Sequence, residues 1–256
     1  MSFIEQIRGV LLDVDGTLLD GDRAIPGAAE ALARLRERGI AFRLTTNTTR
    51  RPRSATAAAL REAGLDVGTD DIVIPASLAR RRIVDSGRAR AALFVAPQAV
   101  EDFEGVVVDE TGPDWIVLGD LGAGFTFERL NRAFHLIRAG AALLALQKNR
   151  FWHAGKAGIV LDAGPFVAAL EYATGVTAEI VGKPSPAFFD LALREISLSA
   201  DQVLVVGDDV ETDIAGGAAA GCRTALVRTG KFSEETLRRS PARPDLLFDS
   251  VASLLP

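Results

Sequence analysis

Two acidic stretches of this chain carry residue types that could do chemistry. Asp13-Val14-Asp15-Gly16-Thr17 directly follows the apolar run Val10–Leu12. Residues two apart on a strand share a face, so both carboxylates are expected to emerge together at the strand's carboxyl end. That is the edge where open α/β sheets place ligands. The second stretch, Gly207-Asp208-Asp209-Val210-Glu211-Thr212-Asp213, follows the apolar run Val203–Val206. Acidic residues are favoured at a helix N-terminus, which accounts for one or two of these carboxylates. Four beside a buried strand repel one another unless a cation or a basic group sits among them, and Mg²⁺ prefers such oxygen ligands. Asp208 therefore reads as a metal ligand rather than a cap.

Between these stretches lie Thr46-Asn47, at the end of an apolar run, and Gly182-Lys183-Pro184, just before a helical pattern. A hydroxyl, an amide and an ammonium suit a phosphate held at several oxygens. Singly, Thr-Asn is a common turn and Lys-Pro a common surface dipeptide. Their joint order, each beside a strand end or helix start, is what makes the set specific.

Strands and helices must position these groups. Val10–Val14 reads as a buried strand and Pro26–Arg38 as a helix opened by proline and closed by Gly39. Phe42–Thr46 is the next strand, Pro52 to Ala63 a helix stopped by Gly64, and Ile72–Pro75 a short strand. The far end repeats the grammar, with strands at Val203–Gly207, Thr224–Val227 and Leu246–Phe248 and a helix over Val210–Ala220. Such alternation argues for parallel β-α-β units. The middle section has its own strands near Ala92–Val95, Trp115–Gly119, Ala142–Leu146 and Ile159–Leu161, and helices over Phe127–Ala139 and Pro165–Thr174. A section of about 100 residues is too large for a loop. It reads as a domain inserted at residues 78–179, which leaves 1–77 and 180–256 as two parts of one core.

Net charge is −5, with 34 acidic against 29 basic residues, so no electrostatic footprint points to nucleic acid or an anionic membrane. Cys222 is the only cysteine, which rules out an internal disulfide and suits a reducing compartment. The N-terminal residues lack a signal-peptide pattern, and the apolar runs are too short to span a bilayer. The expectation is a soluble cytoplasmic protein.

On these residues the chain resembles phosphatases of the haloacid dehalogenase (HAD) superfamily from end to end. DVDGT is similar to the first motif of that superfamily, Thr46 to the second, Lys183 to the third and GDDVETD to the fourth. An insertion between the second and third motifs resembles subclass IIA. LTTNTTR, AGPFVAALEYATG, VGKP and VRTGK are similar to the HAD-like domain-containing hydrolases and to the phospholysine/phosphohistidine/pyrophosphate phosphatases. The resemblance implies an α/β fold, a Rossmann-like doubly wound parallel-sheet core with an inserted α/β cap domain.

It also implies a mechanism. Asp13 attacks phosphorus and becomes an aspartyl phosphate. Asp15 protonates the leaving group and then accepts a proton from water. Mg²⁺ is held by Asp13, the backbone carbonyl of Asp15 and Asp208. Thr46 and Asn47 bind phosphoryl oxygens, and Lys183 offsets the charge of Asp13 and substrate. Asp213 orients Lys183 or a metal-bound water, and Asp209 supports the metal shell. The cap closes over the site and excludes water. Its substrate-facing loop, Asn149 to Asp162, carries Arg150, Trp152, His153 and Lys156. Partners implied are a small phosphorylated substrate and, since related proteins form cap-mediated dimers, a second copy. Pyrophosphate and phospho-amino acids are compatible with the same motifs.

Rival readings are a catalytically idle scaffold that keeps the fold for protein binding, a phosphorelay receiver domain and a dehalogenase. Intact Asp13, Asp15, Lys183 and Asp208 argue against the scaffold. The DxD spacing and the insertion argue against the receiver, and a dehalogenase leaves Asp15 without a duty. The glycines at 119, 122 and 124 lack GxGxxG spacing, and His135 and Cys222 read as packing or surface residues.

Overall fold

Apolar runs without alternation become strands buried on both faces of a parallel sheet, and the computed structural model, which describes residues 6–153 and 158–254, shows this. The first elements are β1 (Gly9–Asp13), β2 (Leu19–Asp20), β3 (Arg23–Ala24), α1 (Ala28–Glu37), β4 (Ala41–Thr45), α2 (Arg53–Glu62) and β5 (Ile72–Val73). The middle of the chain forms α3 (Pro75–Asp85), β6 (Arg90–Phe94), β7 (Val107–Val108), β8 (Trp115–Leu118), α4 (Phe127–Arg138) and β9 (Ala142–Ala145). It continues with β10 (Phe151–His153), β11 (Ile159–Leu161), α5 (Gly164–Thr174) and β12 (Glu179–Ile180). The last part forms α6 (Pro186–Ile196), β13 (Val203–Gly207), α7 (Ala215–Ala219), β14 (Arg223–Val227), α8 (Glu234–Arg239) and β15 (Leu246–Phe248).

The chain divides into two compact units. The first comprises residues 1–46, 53–73 and 183–256. Its six-stranded sheet has the order β15-β14-β13-β1-β4-β5, with every pair parallel. From β1 the chain winds outward through β4 to β5, then returns beside β1 at β13 and winds the other way through β14 to β15. Crossovers in opposite directions from β1 make this a doubly wound sheet, with its topological switch point between β1 and β13. Every residue of β1 and β13 is buried. Helices with one apolar face pack on β4 of the same sheet, burying Ala28, Ala31, Leu32 and Leu35 of α1 and Phe188 and Phe189 of α6.

The second unit is Asn47–Pro52 together with Ile74–Gly182. Its parallel sheet has the order β12-β9-β8-β6-β7, and β10 and β11 form a separate antiparallel hairpin. Ile116, Leu118, Leu143 and Ala145 of the sheet meet Ala133, Ile137, Val167 and Leu170 of α4 and α5 in one core. The boundaries expected from sequence, 78–179, fall inside this unit. Asn47–Pro52 joins it because Thr49 Oγ1 accepts from the Asp120 N–H at 2.9 Å and Arg50 pairs with Asp120 at 3.6 Å. Among the described residues, no helix is long and apolar enough to cross a membrane.

Four local expectations need correction. The strand β1 ends at Asp13, so Asp15 is not on it; a turn with Leu18 and Leu19 N–H groups on the Val14 carbonyl places Asp15 instead. Pro75 does not end a strand but occupies the first turn of α3, where its missing N–H costs nothing. The segment expected as one helix over Val210–Ala220 opens with a π turn, Val210–Ile214, in which Ile214 N–H reaches the Asp209 carbonyl at 3.3 Å. Finally, the expected loop from Asn149 to Asp162 is built on the β10–β11 hairpin.

Candidate active site

Strand ends at the switch point supply the groups. Asp13 terminates β1, Asp208 follows β13 directly, and Leu12 and Val206 are paired neighbours just behind them. Thr45 ends β4 and is the partner of Asp13 in register. One sheet edge therefore collects residues far apart in sequence because parallel neighbours end together.

Lys183 is the centre of the cluster. Its buried ammonium donates to Asp13 Oδ1 at 2.5 Å, to Asp213 Oδ1 at 2.7 Å and to the Thr45 carbonyl at 3.4 Å. Asp13, Asp208 and Asp213 are all buried, and a carboxylate oxygen from each lies within 4.8 Å of the others. Thr17 Oγ1 donates to Asp13 Oδ2 at 3.4 Å. Asp15 is exposed, and Thr46 Oγ1 donates to its Oδ2 at 3.3 Å. Asp209 does act as a cap: its Oδ1 accepts from Glu211 N–H at 2.9 Å and Thr212 N–H at 3.2 Å. The π turn it starts brings Asp213 back to Lys183.

Electrostatics follow from burial. Burial alone would pull the Lys183 ammonium down, but Asp13 and Asp213 outweigh it and hold the side chain charged. Burial pushes the Asp13 carboxyl well up; Lys183 pulls it back, while Asp213, Asp208 and Asp15 add to the rise. Burial also pushes Asp208 up to about 7, with Asp213 adding to it and the Lys231 N–H opposing. Three buried carboxylates against one ammonium leave negative charge that only a proton or a further cation can offset. A donor set made only of hard carboxylate oxygens suits a divalent cation.

Two glycines press against this cluster. A Cβ on Gly230 would lie 1.9 Å from Asp208 Oδ2, and one on Gly16 2.0 Å from the same atom; both have positive φ. Gly230→Ala is therefore expected to displace the Asp208 carboxylate and weaken divalent-cation affinity by roughly 10–100-fold, as loss of a supporting contact does elsewhere. The readout is the cation concentration giving half-maximal activity, and an unshifted curve refutes the expectation.

Residues 10–109 match the family model described as haloacid dehalogenase-like hydrolase, and residues 180–254 the one described as HAD-hydrolase-like. The phospholysine phosphohistidine inorganic pyrophosphate phosphatase of Bos taurus is 36% identical over 252 residues, covering 96% of this chain and 92% of its own. The chain belongs to the haloacid dehalogenase-like hydrolase family. Haloacid dehalogenase-like hydrolase domain-containing protein 2 of Bos taurus is 38% identical over 226 residues, with 88% of this chain and 86% of that protein covered. The crystal structure of a 4-nitrophenylphosphatase from Thermotoga maritima superposes with a TM-score of 0.93 at 32% identity, covering 99% and 98% of the two chains. The fold is that of the HAD core with an inserted domain, and the chain is a HAD-type phosphatase.

For this HAD hydrolase, the structure brings together Asp13, Asp208, Asp213 and Lys183, with Asp15 and Thr46 joined to each other beside them. Asn47 begins the second unit, its Oδ1 only 2.7 Å from where a Gly182 Cβ would lie. Arg150 and Trp152 belong to the second unit, exposed and half-buried respectively. The side chain of His153, and Lys156 as a whole, lie outside the described residues.

The sequence analysis assigned no role to the segment after β14. There Thr229 Oγ1 donates to the Gly16 carbonyl, Lys231 N–H donates to Asp208 Oδ2 at 2.6 Å, and Lys231 Nζ lies 3.4 Å from Asp209 Oδ2. The signal was available: VRTGK follows an apolar strand just as the other motifs do.

Proposed function

We propose that this chain is a Mg²⁺-dependent phosphatase that hydrolyses a small phosphomonoester through a phosphorylated Asp13. One observation carries the reading: a buried ammonium bridging two carboxylates, with a third carboxylate beside them, at the switch-point edge of a doubly wound sheet. Asp13, Asp208 and the backbone carbonyl of Asp15 would hold Mg²⁺. When bound, the ion offsets charge between the anionic nucleophile and the phosphoryl group and stabilises charge in the transition state.

In the first step an Asp13 carboxylate oxygen bonds to phosphorus as the ester oxygen leaves, taking a proton from Asp15. In the second, water attacks the aspartyl phosphate, Asp15 takes its proton, and inorganic phosphate and the Asp13 carboxylate are released. Lys183 holds Asp13 oriented, and its charge attracts the phosphoryl oxygens. Thr46 anchors Asp15 by their hydrogen bond in the free site, and its one hydroxyl proton would turn to the phosphoryl group on substrate binding, beside the Asn47 amide. Asp213 keeps Lys183 in place.

The test is phosphate release from p-nitrophenyl phosphate with and without Mg²⁺. Turnover that needs the metal supports the reading. No turnover on this ester or on a panel of phosphometabolites overturns it in favour of a scaffold. Because burial pushes the Asp208 carboxyl up to about 7, proton and Mg²⁺ compete for it. Mg²⁺ affinity is expected to fall by about tenfold or more per unit below that pH, since the Asp13 carboxyl, also held well up by burial, takes up protons as well. Calorimetric titration at about pH 6 and about pH 8 checks this, and equal affinities refute it.

Leaving-group choice is assigned to the hairpin of the second unit, through Arg150 and Trp152. Family placement and the recognition-type side chains there support this, with Arg150 lying over the Phe151 ring at 6.0 Å. Arg150→Ala and Trp152→Ala are expected to raise KM for p-nitrophenyl phosphate by about tenfold, the size of effect a lost recognition contact has. Unchanged KM in both variants removes the assignment.

A further inference from the structure

Among the buried polar side chains of the second unit that the proposed chemistry does not use are Gln147 and Asp162. Gln147 is 1% exposed and Asp162 6%. They stand at the two feet of the β10–β11 hairpin, Gln147 shortly before β10 and Asp162 directly after β11. The amide of Gln147 is used at both ends. Its Nε2 donates to Asp162 Oδ1, and its Oε1 accepts from the Asn149 N–H. Asp162 Oδ1 also accepts from the Ala163 N–H at 2.7 Å.

Around this bridge the backbones close tightly. Asp162 N–H reaches the Arg150 carbonyl at 3.3 Å, and Gly164 N–H the Asn149 carbonyl at 2.9 Å. A Cβ on Gly164 would sit 2.3 Å from the Asn149 carbonyl oxygen, so only glycine allows the approach. The hairpin itself pairs only three residues on each strand, and a two-stranded ribbon of that length is marginal by itself. Its solvent-facing partners Phe151, Ile159 and Leu161 add little burial. What sets its direction is the anchorage at its base.

We propose that Gln147 and Asp162 are positioning residues, a buried amide–carboxylate clamp that fixes the hairpin carrying Arg150 and Trp152 in the orientation needed for leaving-group recognition. The inference rests on the assignment of that recognition to the hairpin. It accounts for a buried carboxylate whose burial is offset by neutral donors, the Gln147 amide, the Ala163 N–H and the Asn149 side chain. It also predicts which replacement is tolerated. Asn at 162 retains an oxygen for both the Gln147 amide and the Ala163 N–H, whereas Ala does not.

The test compares full-length wild type, Gln147→Met, Asp162→Ala and Asp162→Asn. Antiparallel alternation makes Trp152 and Val160 a hydrogen-bonded pair, since the flanking Arg150–Asp162 pair is bonded. Hydrogen exchange at these two amides is expected to speed up by about tenfold or more in Gln147→Met and Asp162→Ala, with α5 and β9 still protected, and to stay near wild type in Asp162→Asn. In the first two variants KM for p-nitrophenyl phosphate should rise by about tenfold, while kcat on it, and kcat/KM on acetyl phosphate with its small leaving group, change less than about twofold.

Exchange at Trp152 and Val160 that is unchanged in Gln147→Met overturns the clamp. Faster exchange with unchanged KM shows that the clamp holds the hairpin but that the hairpin does not read the leaving group, and overturns the proposal through the assignment beneath it. Equal losses on both phosphates, or a defect in Asp162→Asn as deep as in Asp162→Ala, also overturn it, because a general packing role has no reason to spare acetyl phosphate or the asparagine.

Discussion

Asp13→Asn is expected to abolish turnover while leaving the protein folded. Its carboxylate oxygen is the atom proposed to bond to phosphorus, and an amide cannot replace it as a nucleophile. Loss of a nucleophile elsewhere costs roughly 10⁴–10⁶-fold in kcat, and the same scale is expected here. Stability should change little. The asparagine oxygen can still accept from the Lys183 ammonium, now 2.5 Å from Oδ1, and its NH₂ can face Thr17 Oγ1, now 3.4 Å from Oδ2. The substitution also removes one of three crowded buried carboxylates, whose burial already disfavours the charged form of Asp13. Mg²⁺-dependent p-nitrophenyl phosphate hydrolysis and thermal unfolding, measured on the same preparation, check both halves. Wild-type-like turnover would sink the nucleophile assignment, and acid-stable phosphate trapped on another residue would relocate it.

Lys183→Met should damage both stability and activity. The methionine keeps the length but removes the charge that two buried carboxylates share, at 2.5 and 2.7 Å. Breaking a buried ion pair from one side leaves uncompensated charge and typically costs about 3–5 kcal/mol. Protonation of the carboxylates recovers part of that, so the loss should shrink as pH falls. Mg²⁺ should also recover part of the stability by supplying positive charge to the same cluster. Activity is expected to drop by roughly 10²–10³-fold even with saturating metal, the cost of losing one preorganised charge at the reacting group. Pairing the change with Asp213→Asn decides the origin of the stability loss. If the unpaired carboxylate is responsible, the double variant is more stable than the sum of the two single effects, a coupling seen only between groups in contact. Strict additivity, or unchanged stability in Lys183→Met, refutes the account.

Much of this site was legible because its residues sit in short motifs beside apolar runs. Asp13, Thr46, Lys183 and Asp208 each adjoin a strand end or a helix start, and the strand–helix alternation already implied a parallel sheet whose carboxyl edge would gather them. The geometry of Asp15 was less accessible. Period-two spacing placed it on the strand with Asp13, whereas the chain leaves β1 at Asp13 and a tight turn presents Asp15 to Thr46. The resemblance gave Asp209 to the metal shell and Asp213 to Lys183, but not the geometry that separates them. One became a cap and the other a partner of Lys183, because the π turn between them sends their side chains to different places.

The sequence by itself determined the class of chemistry and the family, since both depend on residue types at local spacings and on the order of motifs along the chain. Tertiary structure alone decided that Lys231 and Gly230 support Asp208, that Asn47–Pro52 belongs with the inserted unit, and that Gln147 meets Asp162 across the base of a hairpin. Each of these joins segments whose separation in sequence carries no periodic signal. Their contacts arise from where strands end and how tightly backbones can approach, which are properties of the packed chain and not of any window along it.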